Sequence, residues 1–258
     1  MNRVKSLFKK RDRCKLIAYV TCGDGDTVSI VRALEHAGAD AIELGIPFSD
    51  PIADGPVIQA AAQRALKNGT TTREVFEIAR RIREESEIPL IAFSYLNPLL
   101  RYGAERFAAE AAAAGIDSLL LTDLPPEDGD DVRIAMHAHG LGTVFLLAPT
   151  STDARIKAID RASDGFVYYV STTGVTGTRS ELDPSLLVRL DEVRGRLRNP
   201  IAVGFGISKR EHYELLRDRC DAIVVGSAIV RAIHEGGADK AANVVASILD
   251  TAPAALVP

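Results

Sequence analysis

Short apolar runs alternate with longer amphipathic ones along the whole chain. The runs that read as strands are LIAYVTC (16–22), AIELGI (41–46), LIAFSY (90–95), SLLLTD (118–123), TVFLLA (143–148), FVYYVS (166–171), IAVGFG (201–206) and AIVVGSA (222–228). They are short and rich in Val, Ile, Leu and aromatics, the pattern of strands covered on both faces of a parallel sheet. Between them lie helical patterns such as TVSIVRALEHAG, ERFAAEAAAAG and PSLLVRLDEVRGRL. Several strands are announced alike, in HAGADAIEL, AAGIDSLLL and DRCDAIVV. A helix ends, often at a Gly suited to the left-handed C′ position, and an Asp precedes the strand. Eight strand–helix units in 258 residues predict an α/β fold, a (β/α)₈ TIM barrel forming one domain over 1–258. A doubly wound open sheet is the alternative. Val4, Leu7 and Phe8, at helical spacing, predict an extra N-terminal helix packed on the barrel. Long loops are predicted after the second and sixth strands.

Composition narrows the function. No apolar run approaches the roughly 20 residues that span a membrane. The basic N-terminus, MNRVKSLFKKRDRCK, has no apolar stretch of the kind a secretory signal needs. Net charge is −4, so no basic surplus calls for nucleic acid. Three scattered cysteines, Cys14, Cys22 and Cys220, form no CxxC pair. They fit a reducing, cytoplasmic setting better than a disulfide framework.

If the fold is a barrel, chemistry gathers where strands end. In the second strand, Ile42, Leu44 and Ile46 share one face, which must meet the helices. Glu43 then points inward with Ala41 and Gly45, whose small size leaves room for a ligand. A carboxylate in a core is costly unless paired, and burial raises its pKa toward values useful for proton transfer. The structural alternative is a Glu satisfied by a buried Arg or by backbone. The stretch 47–56, PFSDPIADGP, is a loop by its Pro, Gly and Asp content and brings Asp50 and Asp54 to the barrel mouth. Asp54, just before Gly55-Pro56, reads equally well as a helix cap.

Two further loops have the marks of an anion cradle. Gly206 closes the seventh strand, and Gly226 and Ser227 close the eighth and open a helix. A phosphate site after strands seven and eight is the recurring barrel arrangement. Glycines let backbone N–H groups approach the oxygens, the helix dipole favours the anion, and Ser227 adds a hydroxyl. The alternative is that these glycines serve tight turns only. The loop STTGVTGTR (171–179) is long and polar, which suits a lid over the mouth or a plain surface loop.

Two lyase chemistries fit poorly. A Schiff-base aldolase needs an interior lysine, and no lysine falls within a predicted strand. A metal aldolase needs clustered His and acid ligands, whereas His36, His137, His139, His212 and His234 fall in helical segments or at their ends. GFGIS lacks the third glycine of a dinucleotide fingerprint. Acid–base chemistry by carboxylates, without a cofactor or metal in this chain, remains.

The segment ELGIPFSDPIADGP (43–56) resembles the signature of the tryptophan synthase alpha subunit family. The likeness continues in order through SYLNPLLRYG, LLLTDLPPED, GFVYYVSTTGVTGTR, VGFGIS and VVGSAIV, over nearly the whole chain. It implies retro-aldol cleavage of indole-3-glycerol phosphate to indole and glyceraldehyde 3-phosphate. By resemblance, Glu43 moves the protons and Asp54 accepts a hydrogen bond from the indole N–H. Tyr168 and Phe205 match residues beside the substrate, and Tyr95 lines the indole pocket or is simply core. Gly177 contributes to phosphate binding, and Thr176 belongs to the closing loop. The implied partner is a pyridoxal-phosphate beta subunit in an alpha2beta2 tetramer, facing Asp50 and Pro51. A stand-alone lyase would share every catalytic residue. A sugar-phosphate isomerase barrel would explain the cradle but not ELGIPFSDPIADGP. Gly25, in GDGD, stands where a Pro is common in the family.

Overall fold

The computed structural model describes residues 2–10, 12–170, 184–204 and 206–251. In chain order the strands are β1 (Lys15–Thr21), β2 (Ala41–Gly45), β3 (Leu90–Ser94), β4 (Ser118–Leu121), β5 (Gly142–Val144), β6 (Leu146–Leu147), β7 (Val167–Val170), β8 (Ile201–Gly204) and β9 (Ala222–Val225). The helices that matter below are α1 (Arg3–Leu7), α2 (Thr27–His36), α3 (Pro56–Lys67), α4 (Thr72–Arg83), α5 (Leu96–Tyr102), α6 (Ala104–Ala113), α7 (Asp130–Ala138), α8 (Asp153–Ala162), α9 (Pro184–Arg194), α10 (Arg210–Leu216) and α11 (Ser227–Leu249).

Each of the eight predicted strands forms, the fifth in two pieces. The sheet order is β5-β4-β3-β2-β1-β9-β8-β7-β6, with every pairing parallel. Its two end members, β5 and β6, are successive segments separated only by Phe145. The carbonyl of Phe145 accepts the Tyr168 N–H at 3.1 Å, so the strand leaves β4 and joins β7. The sheet therefore closes on itself as a TIM barrel rather than opening into a doubly wound sheet. Among the described residues simple alternation is exceeded twice: α3 and α4 both follow β2, and α5 and α6 both follow β3.

Strand alternation sorts two hydrophobic layers. Leu16, Ala18, Ile42 and Leu44 face outward and share a core with Val31 and Leu34 of α2 and Phe76 of α4. Ile17, Ala41, Ile91 and Leu120 face inward. The predicted N-terminal helix closes the end of the barrel where the strands begin. Val4 is fully buried among the inward residues, and the Phe8 ring lies 5.7 Å from that of Phe166.

The aspartates that precede strands have a common task. Asp40 accepts the Leu16 N–H at 2.8 Å, Asp117 that of Leu90 at 3.0 Å, and Asp221 that of Ile201 at 2.9 Å. Asp164 accepts the Thr143 N–H at 3.2 Å. In each case a carboxylate just before one strand holds the first N–H groups of the neighbouring one. Asp117 is the hub of the set. It is buried, meets the Arg83 guanidinium at 3.0 Å, and accepts the Arg3 N–H at 3.1 Å. Replacing Asp117 by Ala leaves the Arg83 charge and the Leu90 N–H without their partner. The expected loss is about 3 kcal/mol of unfolding free energy. A urea titration reads it directly, and an unchanged midpoint would mean that the clamp holds nothing.

Candidate active site

Glu43 sits at the middle of β2, in register with Tyr19 of β1 and Ile91 of β3. It faces into the barrel as the alternation predicts. Its side chain is 1% exposed, and neither carboxyl oxygen has a hydrogen-bond partner among the described residues. No buried Arg satisfies it there. Burial alone pushes its pKa up to about 8 from the ordinary 4.5. At neutral pH the group holds its proton.

Asp54 lies on the loop that leaves β2 and is also buried. Burial raises its pKa to about 6, and the Tyr95 hydroxyl opposes that rise. The capping alternative fails, because the N-cap of α3 is Gly55, with no side-chain cap bond. Asp54 is instead held by its backbone. Its N–H donates to the Pro51 carbonyl at 3.1 Å, and its carbonyl accepts Gln59 Nε2 at 2.8 Å. The Ala53 N–H donates to Tyr95 Oη at 3.0 Å, and the Phe48 ring packs 5.3 Å from that of Tyr95. Tyr95 lies one residue past β3, at the N-cap of α5, so the predicted strand overshoots by one residue. Tyr95 thus anchors the loop that presents Asp54.

Three tyrosines surround the two acids. The hydroxyls of Tyr19, Tyr95 and Tyr168 are all pushed above their usual range, by burial first and then by neighbouring carboxylates. Asp54 acts on all three, and Glu43 on Tyr19 and Tyr168. Tyr168 is half-buried. Two glycines make room for these rings. A Cβ on Gly45 would stand 2.2 Å from Tyr19 Oη, and one on Gly204 would stand 2.5 Å from Tyr168 Oη. Sequence reasoning missed Tyr19. Its signal was present: it shares the inward parity of its strand and pairs with Glu43. The hydroxyl of Thr21, also inward, is buried beside that of Tyr19.

Gly206 follows β8 with φ +64°, a left-handed turn that glycine adopts without strain. Gly226 is the N-cap of α11, and Ser227 is its first residue. Gly226 supplies no side-chain cap, and the first N–H groups of a helix lack partners within it, which suits them to an anion. Gly226 lies against Tyr19, which joins this helix start to the carboxylate site. Glu43, Asp54, Tyr95, Tyr168, Gly226 and Ser227 therefore converge on one end of the barrel. Thr176, Gly177 and Phe205 lie outside the described residues. Asp50 and Pro51 sit on the outer side of the β2 loop, next to an Ile52 that is 80% exposed.

One expectation needs correction. Lys15, placed just outside a strand by sequence, opens β1. It is buried at the opposite end from Glu43, with Nζ 2.5 Å from Asp12. That position leaves it no part in chemistry at the mouth.

The family model described as tryptophan synthase alpha chain matches residues 6–254. The tryptophan synthase alpha chain of Solibacter usitatus is 54% identical over 250 residues, 95% of this chain and 94% of that relative. The solved structure of the Legionella pneumophila alpha subunit superposes with a TM-score of 0.90 at 35% identity, covering 97% of this chain and 98% of the other. A chain from the tryptophan synthase a2b2 complex of Pyrococcus furiosus superposes with a TM-score of 0.86 at 43% identity, covering 92% and 98%.

The unpaired Glu43 sets a pH dependence of stability. Between pH 4.5 and about 8 the folded protein keeps this proton while the unfolded chain loses it. Stability therefore falls as pH rises through that window and levels off above it. Glu43→Gln removes this fall. The variant is expected to be more stable than the wild type at pH 8.5, by on the order of 3 kcal/mol, with the gap closing toward pH 4.5. Denaturant midpoints across the range test this, and parallel pH profiles would refute it.

Proposed function

The chain belongs to the tryptophan synthase alpha chain family, and we propose that Glu43 and Asp54 carry its proton transfers between them. The chain is a lyase that cleaves indole-3-glycerol phosphate to indole and glyceraldehyde 3-phosphate. One observation carries the assignment of roles: Glu43 is buried on the inner wall with both oxygens unpartnered among the described residues, and a second buried acid of lower pKa, Asp54, acts with it on Tyr19 and Tyr168.

The reaction then runs as follows. Protonated Glu43 gives its proton to C3 of the indole, which makes the ring an electron sink. Asp54, largely ionised at pH 7, accepts a hydrogen bond from the ring N–H and stabilises the cation. The Glu43 carboxylate takes the proton of the hydroxyl next to the breaking bond. The carbon–carbon electron pair passes into the ring, and the hydroxyl-bearing carbon leaves as the aldehyde. Glu43 ends with a proton, ready for another turn. No cofactor enters these steps, and pyridoxal phosphate belongs to the beta partner.

The phosphate is held by the free N–H groups at the start of α11, with Gly206, Gly226 and Ser227. Gly177, Phe205 and the lid residue Thr176 join it on the family resemblance. Tyr95 and Tyr168 line the indole pocket. A beta subunit in an alpha2beta2 assembly is the partner, as in the Pyrococcus furiosus complex. The exposed Ile52 beside Asp50 and Pro51 supports that face as the contact. No described helix is long and apolar enough to cross a membrane, and we place the chain in the cytoplasm.

Glu43→Gln is expected to fold and bind substrate but to release indole at less than about 10⁻² of the wild-type rate, because it supplies neither acid nor base. Asp54→Asn should lower turnover by about 10²-fold. Indole release, followed with and without a beta subunit, decides both; near wild-type rates would remove the residue concerned from the chemistry. The order of steps adds a pH signature. Proton donation by Glu43 requires its neutral form, so kcat/KM should fall as pH rises through about 8. A profile flat to pH 9 would exclude protonation of the ring by this residue.

A further inference from the structure

At the opposite end of the barrel, where the strands begin, is a cavity of about 300 Å³. Two of the three cysteines line it. Cys14 immediately precedes β1, and Cys220 lies two residues before β9, the strand that pairs with β1. Their Sγ atoms are 3.7 Å apart. Both are free thiols in the outer hydrophobic layer. Cys220 Sγ also donates to the Leu216 carbonyl at 3.3 Å, and Tyr213 Oη donates to the Cys14 carbonyl at 3.3 Å. Paired strands lie ~4.8 Å apart, and one residue of stagger adds ~3.3 Å along them. That geometry suits the Cα separation of about 4.4–6.8 Å that a disulfide spans. Closing the sulfurs to bonding distance needs a side-chain turn rather than a strand shift.

The lining also indicates what reaches the sulfurs. Five of its side chains are cationic and three are carboxylates. Arg13, Lys15, Arg194 and Arg217 are among the cations. These cations are held in ion pairs with Asp12, Asp40, Asp221 and Glu214, and the carboxylates of a small anionic molecule can compete for them beside the thiols. Cys22, also buried, does not line this cavity.

We propose that Cys14 and Cys220 form a reversible disulfide by exchange with a small anionic disulfide admitted through this cavity. Cys14, as thiolate, attacks one sulfur of the small disulfide. A mixed disulfide forms and one small thiol leaves. The Cys220 thiolate then attacks the Cys14 sulfur, the protein disulfide closes, and the second small thiol leaves. The protein loses two protons and two electrons, and the small disulfide gains both. The new bond ties the roots of β1 and β9 across 206 positions of sequence. It constrains the unfolded chain far more than the folded one.

Oxidised glutathione is the probe, added to the full folded chain and followed by alkylation and mass measurement. The expected product is two hydrogens lighter than the reduced protein. Its peptide map links Cys14 to Cys220, and Cys22 alone is alkylated. Its melting temperature rises by about 5 °C and returns on reduction. In Cys220→Ser the second step is absent, so one glutathionyl group stays on Cys14. Three alkylatable thiols after exposure, a stable glutathionyl adduct on the wild type, or a link that includes Cys22 would each overturn the proposal.

Discussion

Everything at the active end of this barrel depends on strand register, and register is held at the other end. In a sheet with period-two side chains, a slip of one residue exchanges the two faces of a strand. Such a slip in β2 would turn Glu43 into the helical layer and Leu44 into the barrel. The aspartates before the strands oppose it, because Asp40, Asp117, Asp164 and Asp221 each fix the first N–H groups of the neighbouring strand. Such bonds hold a strand start only at one offset. The α1 plug adds to the same end, with Val4 and Phe8 filling the interior that the strands leave. The folding devices and the chemical groups are thus divided between the two ends of the same strands.

That division allows an unfavourable arrangement at the mouth. A carboxyl group with no hydrogen-bond partner among the described residues is expensive to bury, and Glu43 lowers the expense by holding its proton. Space is arranged as narrowly as charge. Gly45 and Gly204 stand where any Cβ would strike the hydroxyl of Tyr19 or Tyr168. The tyrosine rings occupy the room those glycines leave and bring hydroxyls toward both acids. Tyr19 also touches Gly226 at the start of α11, the proposed phosphate end of the site. The proposed indole and phosphate ends of the site therefore share Tyr19 as a wall.

Much of this was legible in the chain, for definite physical reasons. Glu43 could be placed inward because alternation in AIELGI leaves no other face for it. Gly206, Gly226 and Ser227 could be placed at the barrel mouth because they follow strand ends, and Gly226-Ser227 opens a helix there. What could not be read depended on contacts between distant segments. Asp54 read equally well as a cap because Gly55-Pro56 follows it, yet Tyr95, 42 positions from Ala53, sets the loop, and Gly55 is the N-cap. Tyr19 went unread because its place opposite Glu43 exists only once β1 is laid beside β2. The break at Phe145 has no local signature, since it arises where one strand must change neighbours to close the barrel. The aspartate before each strand was visible as a repeated letter, but its hydrogen bond goes to the neighbouring strand.

The difference between the two acids follows from where each is held. Glu43 stands on a strand, enclosed on all sides, and nothing opposes its desolvation. Asp54 stands on a loop, and the Tyr95 hydroxyl favours its charged form. One environment keeps a carboxyl neutral at pH 7, and the other leaves its neighbour largely ionised. Two carboxyl groups separated in this way can act as acid and as anion in the same step. Exchanging their supports would exchange their states: an Asp54 without Tyr95 would drift upward, and a Glu43 with a donor would drift down. The protonation state of each residue thus follows from the element that carries it, and the ELGIPFSDPIADGP segment passes from strand to loop between Glu43 and Asp54.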